Sequence, residues 1–392
     1  MLKLSESSWG PEELEAIQKC IDNDSFTMGK SVESFESEFA KWIGSKYAVM
    51  VNSGSSANLL AAATLSFLSD GKPKGKVVVP ALSWSTTYFP WIQMGYDLIF
   101  IDINKFSFNI EIPELEDVID GTVSGICVPH ILGADAGISK LKHIADKHGI
   151  WVVEDTCESL GATTTHKGVH KKLGTVGDIG TFSFFRSHHI CTMEGGMLVT
   201  DDFDTFAVAK SLRAHGWGRG VPESKKLNNY VQNKWKHNFT FFTPGFNLRP
   251  LEMSGQIGLE QIKKLDLFID YRRQNAKLLI SKLKHVTGIR LQEQDKTGSW
   301  MAFAFILESK NSELRNLLVS ELENEGIETR PIVTGNFVNQ PVMSKIKDRI
   351  TLVSDYSNAQ FVDDYGFMIA NHGRDLSEEI DILFSIFIKY FA

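Results

Sequence analysis

The sequence predicts an α/β fold in which a large domain, built on a mixed and mostly parallel sheet, precedes a smaller C-terminal α+β domain. Short runs rich in β-branched residues alternate with helical patterns over most of the first 250 residues. Alternation of this kind is typical of a sheet that helices cover on both faces. The chain has 392 residues, which is enough for two or three domains of ordinary size (~150 residues each).

The hydrophobic pattern predicts the individual elements in order along the chain. In the large domain, residues 1–250, we expect strands at 47–52, 76–80, 98–101, 150–153, 180–184 and 197–200, and helices at 54–68, 86–93, 141–148 and 205–214. Linking helices follow at 251–285. In the small domain, residues 286–392, we expect strands at 301–306 and 327–329, and helices at 313–324 and 378–391.

One long segment, 217–246, is polar and aromatic and has little periodicity. A segment of this length without regular structure is usually functional in a compact domain. We therefore expect a lid or an interface there.

Composition and charge exclude several classes of protein. A hydrophobic content of 43% is typical of a globular chain rather than a disordered one. The formal net charge of −7 argues against a nucleic-acid partner, because phosphate neutralisation needs a basic face. No segment approaches the ~20 apolar residues of a spanning helix, and no signal peptide is evident. We therefore expect a cytoplasmic protein without a membrane partner.

The four cysteines point to a reducing compartment and to no metal centre. The four residues are Cys20, Cys127, Cys157 and Cys191. They lie far apart along the chain and form no C-x-x-C or C-x-C pair. This spacing supports neither a zinc site nor an iron–sulfur cluster, and a disulfide framework is not expected at this chain length.

The segment 52–58, with the letters NSGSSAN, lies between a predicted strand and a predicted helix. Gly54 lets the backbone approach a ligand, and a helix N-terminus offers free N–H groups with partial positive charge. The hydroxyls of Ser55 and Ser56 are further donors for a phosphate. An ordinary serine N-cap explains the same letters, so the segment alone leaves both interpretations open.

A second motif, Glu154 to Glu158, follows the strand at 150–153. Ligands bind at the carboxyl ends of strands in α/β sheets, and a carboxylate such as Asp155 can pair there with a protonated pyridine nitrogen. A carboxylate that caps a helix is an equally good explanation of this motif in isolation.

Two more motifs are ambiguous when taken singly. His188 and His189 lie in a polar turn, and neighbouring histidines rarely face one metal ion. They fit one functional and one structural histidine, or two surface residues. The segment 244–250, with the letters PGFNLRP, is adequately explained as a turn and cap before the long helix.

Taken together and in this order, these segments resemble the sugar-nucleotide branch of the enzymes of fold type I (aspartate aminotransferase-like) that use pyridoxal 5′-phosphate (PLP). The resemblance runs from about residue 26 to residue 372. It implies a seven-stranded large sheet, and it implies PLP and pyridoxamine 5′-phosphate (PMP) as cofactors. The cofactor-binding residues that it implies are Gly54, Ser55, Ser56, Trp84, Asp155, Glu158, Ser183 and Asn247.

The resemblance also implies individual roles. Asp155 pairs with the pyridine nitrogen, where it maintains the electron sink of the cofactor. Trp84 stacks on the ring. Asn247 reaches the cofactor of the neighbouring subunit, so a homodimer with shared active sites is implied.

One departure from the family pattern concerns the Schiff-base lysine. The aminotransferases of the family carry it five residues before the G-E-G-G turn, where this chain has His188, and no lysine occurs from residue 173 to 209. Imidazole cannot form the Schiff base, but it transfers protons at neutral pH.

The substitution resembles the sugar 3-dehydratases of this family, and the segments 25–30, 83–88, 213–217 and 330–337 agree. The implied reaction is C3 deoxygenation of a nucleotide-linked, GDP-bound 4-keto-6-deoxyhexose in deoxysugar (colitose) biosynthesis. L-Glutamate is the implied amino donor, 2-oxoglutarate its product, and His188 the acid and base. Glu158, where the aminotransferases usually have Gln, is implied near the phenolic oxygen. The substrate-side candidates are Phe26, Met28, Gly29, Ser187, His215, Arg249 and Arg330.

Three alternatives stay open at this point. A sugar 4-aminotransferase would need the missing lysine. An aminotransferase with an engineered Lys-to-His change is disfavoured by Glu158 and by the flanking segments. A non-catalytic binding module is disfavoured because Asp155, Ser183 and Asn247 are present.

Overall fold

The computed structural model describes residues 1–69, 74–227 and 234–391. Within these ranges the strands are β1 (Tyr47–Val51), β2 (Lys76–Pro80), β3 (Asp97–Ile101), β4 (Val123–Pro129), β5 (Trp151–Asp155), β6 (Thr163–His166), β7 (Val169–Lys172), β8 (Ile179–Ser183), β9 (Gly196–Thr200), β10 (Ile289–Leu291), β11 (Ala302–Leu307), β12 (Thr329–Arg330), β13 (Ile350–Leu352) and β14 (Gly366–Ala370).

The α-helices of the same ranges vary from single turns to one long helix. They are α1 (Pro11–Asp22), α2 (Lys30–Ile43), α3 (Gly54–Leu68), α4 (Phe89–Gln93), α5 (Ile112–Val118), α6 (Ile138–His148), α7 (Phe203–Arg213), α8 (Lys234–His237), α9 (Glu252–Leu283), α10 (Ser312–Asn324), α11 (Ser357–Tyr365) and α12 (Ser377–Phe391). None of these helices is both long and apolar enough to cross a membrane.

The large sheet has the strand order β1-β9-β8-β5-β4-β2-β3-β13. Its pairs are parallel from β13 to β8, whereas β9 is antiparallel to both of its neighbours, β8 and β1. The carboxyl ends of β1, β2, β4, β5 and β8 therefore lie at one edge of the sheet.

Apolar side chains cover both faces of this sheet. In β2, Val77 and Val79 belong to a core cluster shared with α3 and α7, whereas Val78 packs into a different cluster with residues of α5 and α6. Successive side chains of a strand point to opposite faces, so this split places helices on both sides.

The large sheet carries one strand more than the seven that were predicted. The eighth strand, β13, comes from the C-terminal region and pairs parallel to β3 with Ile350 opposite Leu98. Strand β13 has three residues and lies at the edge of the sheet. A run of three residues is too short to show the alternating hydrophobic pattern that predicts a strand.

The C-terminal region forms a second, antiparallel sheet in the order β10-β11-β14-β12. It packs with α9, α10 and α12 around a separate apolar cluster that includes Phe303 and Phe387. The domain boundaries at residues 250 and 285 stay a prediction. Strand β13 lies within the predicted small domain, but it pairs with β3 of the large sheet.

The predicted lid or interface segment, 217–246, lies partly outside the described residues, at 228–233. In its described part the rings of Trp217 and Phe241 are stacked at a centroid distance of 6.3 Å. Phe239 and Phe241 are 72% and 62% exposed in the single chain.

Candidate active site

A cavity of about 350 Å³ opens at the carboxyl edge of the large sheet. Loops that follow β1, β2, β4, β5 and β8 line it, which is where ligands bind in open α/β sheets. The C-terminal region supplies the remaining wall through Met301, Arg330, Val333 and Met368. Both parts of the fold therefore build the site.

The first turn of α3 forms one end of the cavity. Ser53 is the N-cap and accepts a hydrogen bond from the backbone N–H of Ser56 at 3.0 Å. Gly54 is required by close packing, since a Cβ there would lie 2.4 Å from the Cβ of Ser183. The helix N-terminus and the Ser55 and Ser183 side chains thus form a cradle that suits a phosphate group.

Asp155 lies at the end of β5 and is 7% exposed. Its Oδ2 accepts hydrogen bonds from the Asn58 amide and the Thr87 hydroxyl, both at 2.8 Å. Its Oδ1 accepts from the backbone N–H of Cys157 at 3.2 Å. The carboxylate is therefore fixed in a cavity that is otherwise lined mainly by uncharged groups.

Trp84 and Arg330 face each other across the mouth of the cavity. The guanidinium of Arg330 lies 5.9 Å from the Trp84 ring centroid, and it also donates to the carbonyl oxygen of Val333 at 2.6 Å. Trp84 is 50% exposed, so a ring face is free to stack on a planar ligand.

Glu158 lines the same cavity and accepts a hydrogen bond from the backbone N–H of Leu132 at 2.9 Å. Burial raises the pKa of Glu158 to about 7, and the Asp155 charge acts in the same direction. The side chain is therefore divided between its protonated and ionised forms near neutral pH.

The two histidines of the turn after β8 lie in different environments. His188 faces the cavity, and its Nδ1 is buried without a partner among the described residues. Burial lowers the pKa of His188 to about 4, partly opposed by the Asp155 charge, so its imidazole is neutral at pH 7. His189 is buried outside this cavity and its Nε2 lies 3.4 Å from the carbonyl oxygen of Ser299.

The cavity brings together nine of the predicted site residues. These are Gly54, Ser55, Trp84, Asp155, Glu158, Ser183, Ser187, His188 and Arg330. Ser56 does not line the cavity, because its backbone N–H and hydroxyl both bond to Ser53 within the first turn of α3.

The other six predicted residues lie on a separate surface of the chain, which we call the 26/247 surface. Thr27 bridges to Leu251, Ala214 bridges to Asn247, and Glu252 accepts the Gly29 backbone N–H at 2.6 Å. Arg249 Nε donates to Asn247 Oδ1 at 2.9 Å. The predicted residues on this surface are Phe26, Met28, Gly29, His215, Asn247 and Arg249.

The sequence reasoning missed several residues of the site. Ser53, Thr86 and Thr87 lie in segments that were singled out, and the hydroxyl-rich letters around them were the available signal. Val333 lies in the segment 330–337, which was also singled out. Met301 and Met368 are distant along the chain, and no local pattern places them beside Asp155.

The mixed α/β fold, the helix N-terminus with its serine hydroxyls and the buried carboxylate suit a phosphorylated cofactor with a ring nitrogen. The DegT/DnrJ/EryC1/StrS aminotransferase family model matches residues 8–361, and the chain belongs to this family. This membership confirms the predicted fold class.

Within the family, the chain is similar over its whole length to GDP-4-keto-6-deoxy-D-mannose 3-dehydratase of Yersinia pseudotuberculosis. The two are 43% identical over 391 residues, which cover 98% of each chain. The E. coli GDP-4-keto-6-deoxy-D-mannose-3-dehydratase with bound hydrated PLP has a TM-score of 0.93 at 41% identity, covering 99% of both chains.

A second solved structure is that of a GDP-4-keto-6-deoxymannose-3-dehydratase with a trapped PLP-glutamate geminal diamine. Its TM-score is 0.92 at 40% identity, and the match covers 99% of this chain and 100% of the other.

Proposed function

We propose that this chain catalyses the PLP- and PMP-dependent 3-dehydration of GDP-4-keto-6-deoxy-D-mannose, with L-glutamate as the amino donor. The observation that carries the proposal is the lining of the cavity. Among the described residues that line it there is no lysine, and His188 faces it at the sequence position where the resemblance places the Schiff-base lysine of the aminotransferases. The similarity to 3-dehydratases over 98% of the chain supports the same reaction.

The residues present fit the cofactor. When bound, PLP accepts the amino group of glutamate, and its protonated ring withdraws electrons from the attached substrate. The first turn of α3 and Ser183 would hold the phosphate, Asp155 would hold the ring proton, and Trp84 would stack on the ring.

His188 moves the protons of the reaction. Its neutral imidazole would take a proton at the C4′ carbon of the bound cofactor and then donate it to the departing C3 hydroxyl oxygen of the sugar. Hydroxide is a poor leaving group, so this second transfer is needed for the C3–O bond to break. One group that acts as base and then as acid must be neutral at the outset, as His188 is at pH 7.

The overall reaction balances without another reductant. Glutamate supplies two electrons and leaves as 2-oxoglutarate and ammonia, and the sugar loses its C3 oxygen as water. An aminotransferase would instead retain that oxygen and place the amino group on the sugar.

The four free cysteines are in keeping with a cytoplasmic location.

The test combines the products with the state of the cofactor. Protein loaded with PLP should convert glutamate and GDP-4-keto-6-deoxy-D-mannose into ammonia and a sugar that is lighter by one oxygen, as read by mass spectrometry. Borohydride treatment of the loaded protein should leave no cofactor mass on the polypeptide. A GDP-linked 4-amino sugar, or a covalent adduct on any lysine, would overturn the proposal.

The proposed active unit is a homodimer in which the 26/247 surface completes the site of the partner subunit. Asn247 does not line the cavity of its own chain, and Phe26 and Leu251, which belong to the neighbouring segments joined by the Thr27–Leu251 bridge, are 44% and 53% exposed. Apolar side chains on a shared surface favour a symmetric contact between copies.

Mixing two inactive variants should restore activity if the sites are shared. A dimer of one Asn247→Ala chain and one His188→Asn chain has one complete site, built from His188 of the first chain and Asn247 of the second. Turnover after mixing and subunit exchange is the measurement. When both preparations carry His188→Asn, mixing should restore none. Full activity of Asn247→Ala by itself, or a fully active monomer in a sizing experiment, would contradict the shared site.

A further inference from the structure

A network of buried polar side chains converges on one oxygen of Asp155. Asn58 and Thr87, which are 3% and 1% exposed, both donate to Oδ2 at 2.8 Å. Thr87 lies in the segment after β2 and lines the cavity, whereas Asn58 lies on α3 behind it. Their buried polar groups face Asp155, so holding this carboxylate explains why they are polar.

A second hydrogen bond orients each of the two donors. The hydroxyl of Thr181 donates to Oδ1 of Asn58 at 2.6 Å, so the amide must present its NH₂ group to Asp155. The hydroxyls of Ser83 and Thr87 lie 2.7 Å apart. Because Thr87 uses its proton on Asp155, Ser83 is the donor between these two.

The number of hydrogen bonds leaves room for one more donor. A carboxylate has about four acceptor positions. Asn58, Thr87 and the backbone N–H of Cys157 fill three of those on Asp155. The remaining position matches the single N–H of a protonated pyridine ring, and the three fixed donors hold the carboxyl group in one orientation toward it.

The position of Asn58 links the two ends of the site. It lies on α3, about one turn after Gly54 and Ser55, which form the phosphate cradle. The same rigid helix therefore sets both the phosphate position and the orientation of Asp155.

We propose that Asn58 and Thr87 are positioning residues that hold the Asp155 carboxylate ready for the ring nitrogen of the cofactor before it binds. This inference rests on the proposed function and adds the residues that prepare its electron sink.

The test uses Thr87→Val, which keeps the shape of the side chain and removes the donor. Affinity for PLP, measured by absorbance titration of the cofactor-free protein, should fall about tenfold to a hundredfold, the range for losing a hydrogen bond to a charged group. The pH at which bound PLP loses its ring proton, read from its spectrum, should move down. Thr87→Ser should restore both quantities.

Thr64→Val is the matched control. Thr64 lies on α3 and is fully buried, but its hydroxyl has no hydrogen-bond partner among the described residues. The same chemical change there should leave PLP affinity and the spectral midpoint unchanged. Asn58→Asp is the second test, because two carboxylates in contact must share a proton. Its loss of affinity should exceed that of Thr87→Val.

The outcomes separate this inference from the proposed function. If the folded Thr87→Val and Asn58→Asp proteins bind PLP as tightly as the parent and with the same spectral midpoint, the inference is wrong. If the parent itself does not bind PLP, the proposed function fails and the inference fails with it. A lower unfolding temperature with unchanged PLP affinity and spectrum would show a purely structural role and would also overturn the inference.

Discussion

Replacing His188 with asparagine should lower turnover of the 4-keto sugar by ~10²–10⁴, the range for loss of a general acid–base group. Asparagine keeps a polar side chain of similar reach, but it cannot accept and release a proton at neutral pH. We expect the upper end of this range because His188 is proposed to act twice, at the C4′ carbon and at the C3 hydroxyl. Single-turnover measurement of sugar product from PMP-loaded protein isolates these steps from the glutamate half-reaction.

His189→Asn is the internal control for this measurement. His189 is the sequence neighbour of His188, but it is buried outside the cavity beside the carbonyl oxygen of Ser299. Its replacement should lower the unfolding temperature and leave the single-turnover rate close to that of the parent. PMP affinity should survive His188→Asn, because Asp155, Ser55 and Ser183 are unchanged. Dehydration by His188→Asn at near the parent rate would show that His188 is not the base.

The residues that local chemistry marks could be predicted from the sequence. Helix α3 begins at Gly54 and ends at Leu68 as predicted, because the apolar pattern and the Ser53 cap act within a few residues of each other. Asp155 was predicted because it follows a strand, and the carboxyl ends of parallel strands share one edge of a sheet. Ser183 and His188 were predicted from the family resemblance.

The rest depends on contacts between distant parts of the chain. Met368 reaches the cavity from β14, about two hundred residues after Asp155, and no period or spacing encodes that approach. In the sequence, Asn58 is one polar residue of a predicted helix, and nothing distinguishes it from the others. Its hydrogen bond to Asp155 forms only when α3 packs against β5. Strand β4, at the centre of the sheet, was missed although its residues 126–129 are buried. A continuous apolar run of this length does not distinguish a strand from a helix.

The second large effect is expected for Asp155→Asn, which should lower turnover by ~10²–10³, the cost of losing one preorganised electrostatic partner. The substitution keeps the size of the side chain and removes its charge. Asn58 and Thr87 still donate to one position, so the new amide must turn its oxygen toward them. Its NH₂ group then faces the ring nitrogen and can only donate.

An NH₂ donor in that place favours an unprotonated pyridine ring, which withdraws electrons poorly, so both half-reactions should slow together. The glutamate half-reaction therefore distinguishes the Asp155→Asn variant from the His188→Asn variant. In Asp155→Asn the absorbance change that accompanies conversion of bound PLP by glutamate should slow, and the ring should lose its proton at a lower pH than in the parent. The backbone N–H of Cys157 also loses its acceptor, so a modest fall in unfolding temperature should accompany the change.

Parent-like rates in both half-reactions, with an unchanged cofactor spectrum, would mean that the carboxylate between Asn58 and Thr87 does not hold the ring proton. The electron sink would then need another partner in the cavity, and Glu158, whose pKa the Asp155 charge raises, is one carboxylate that lines it.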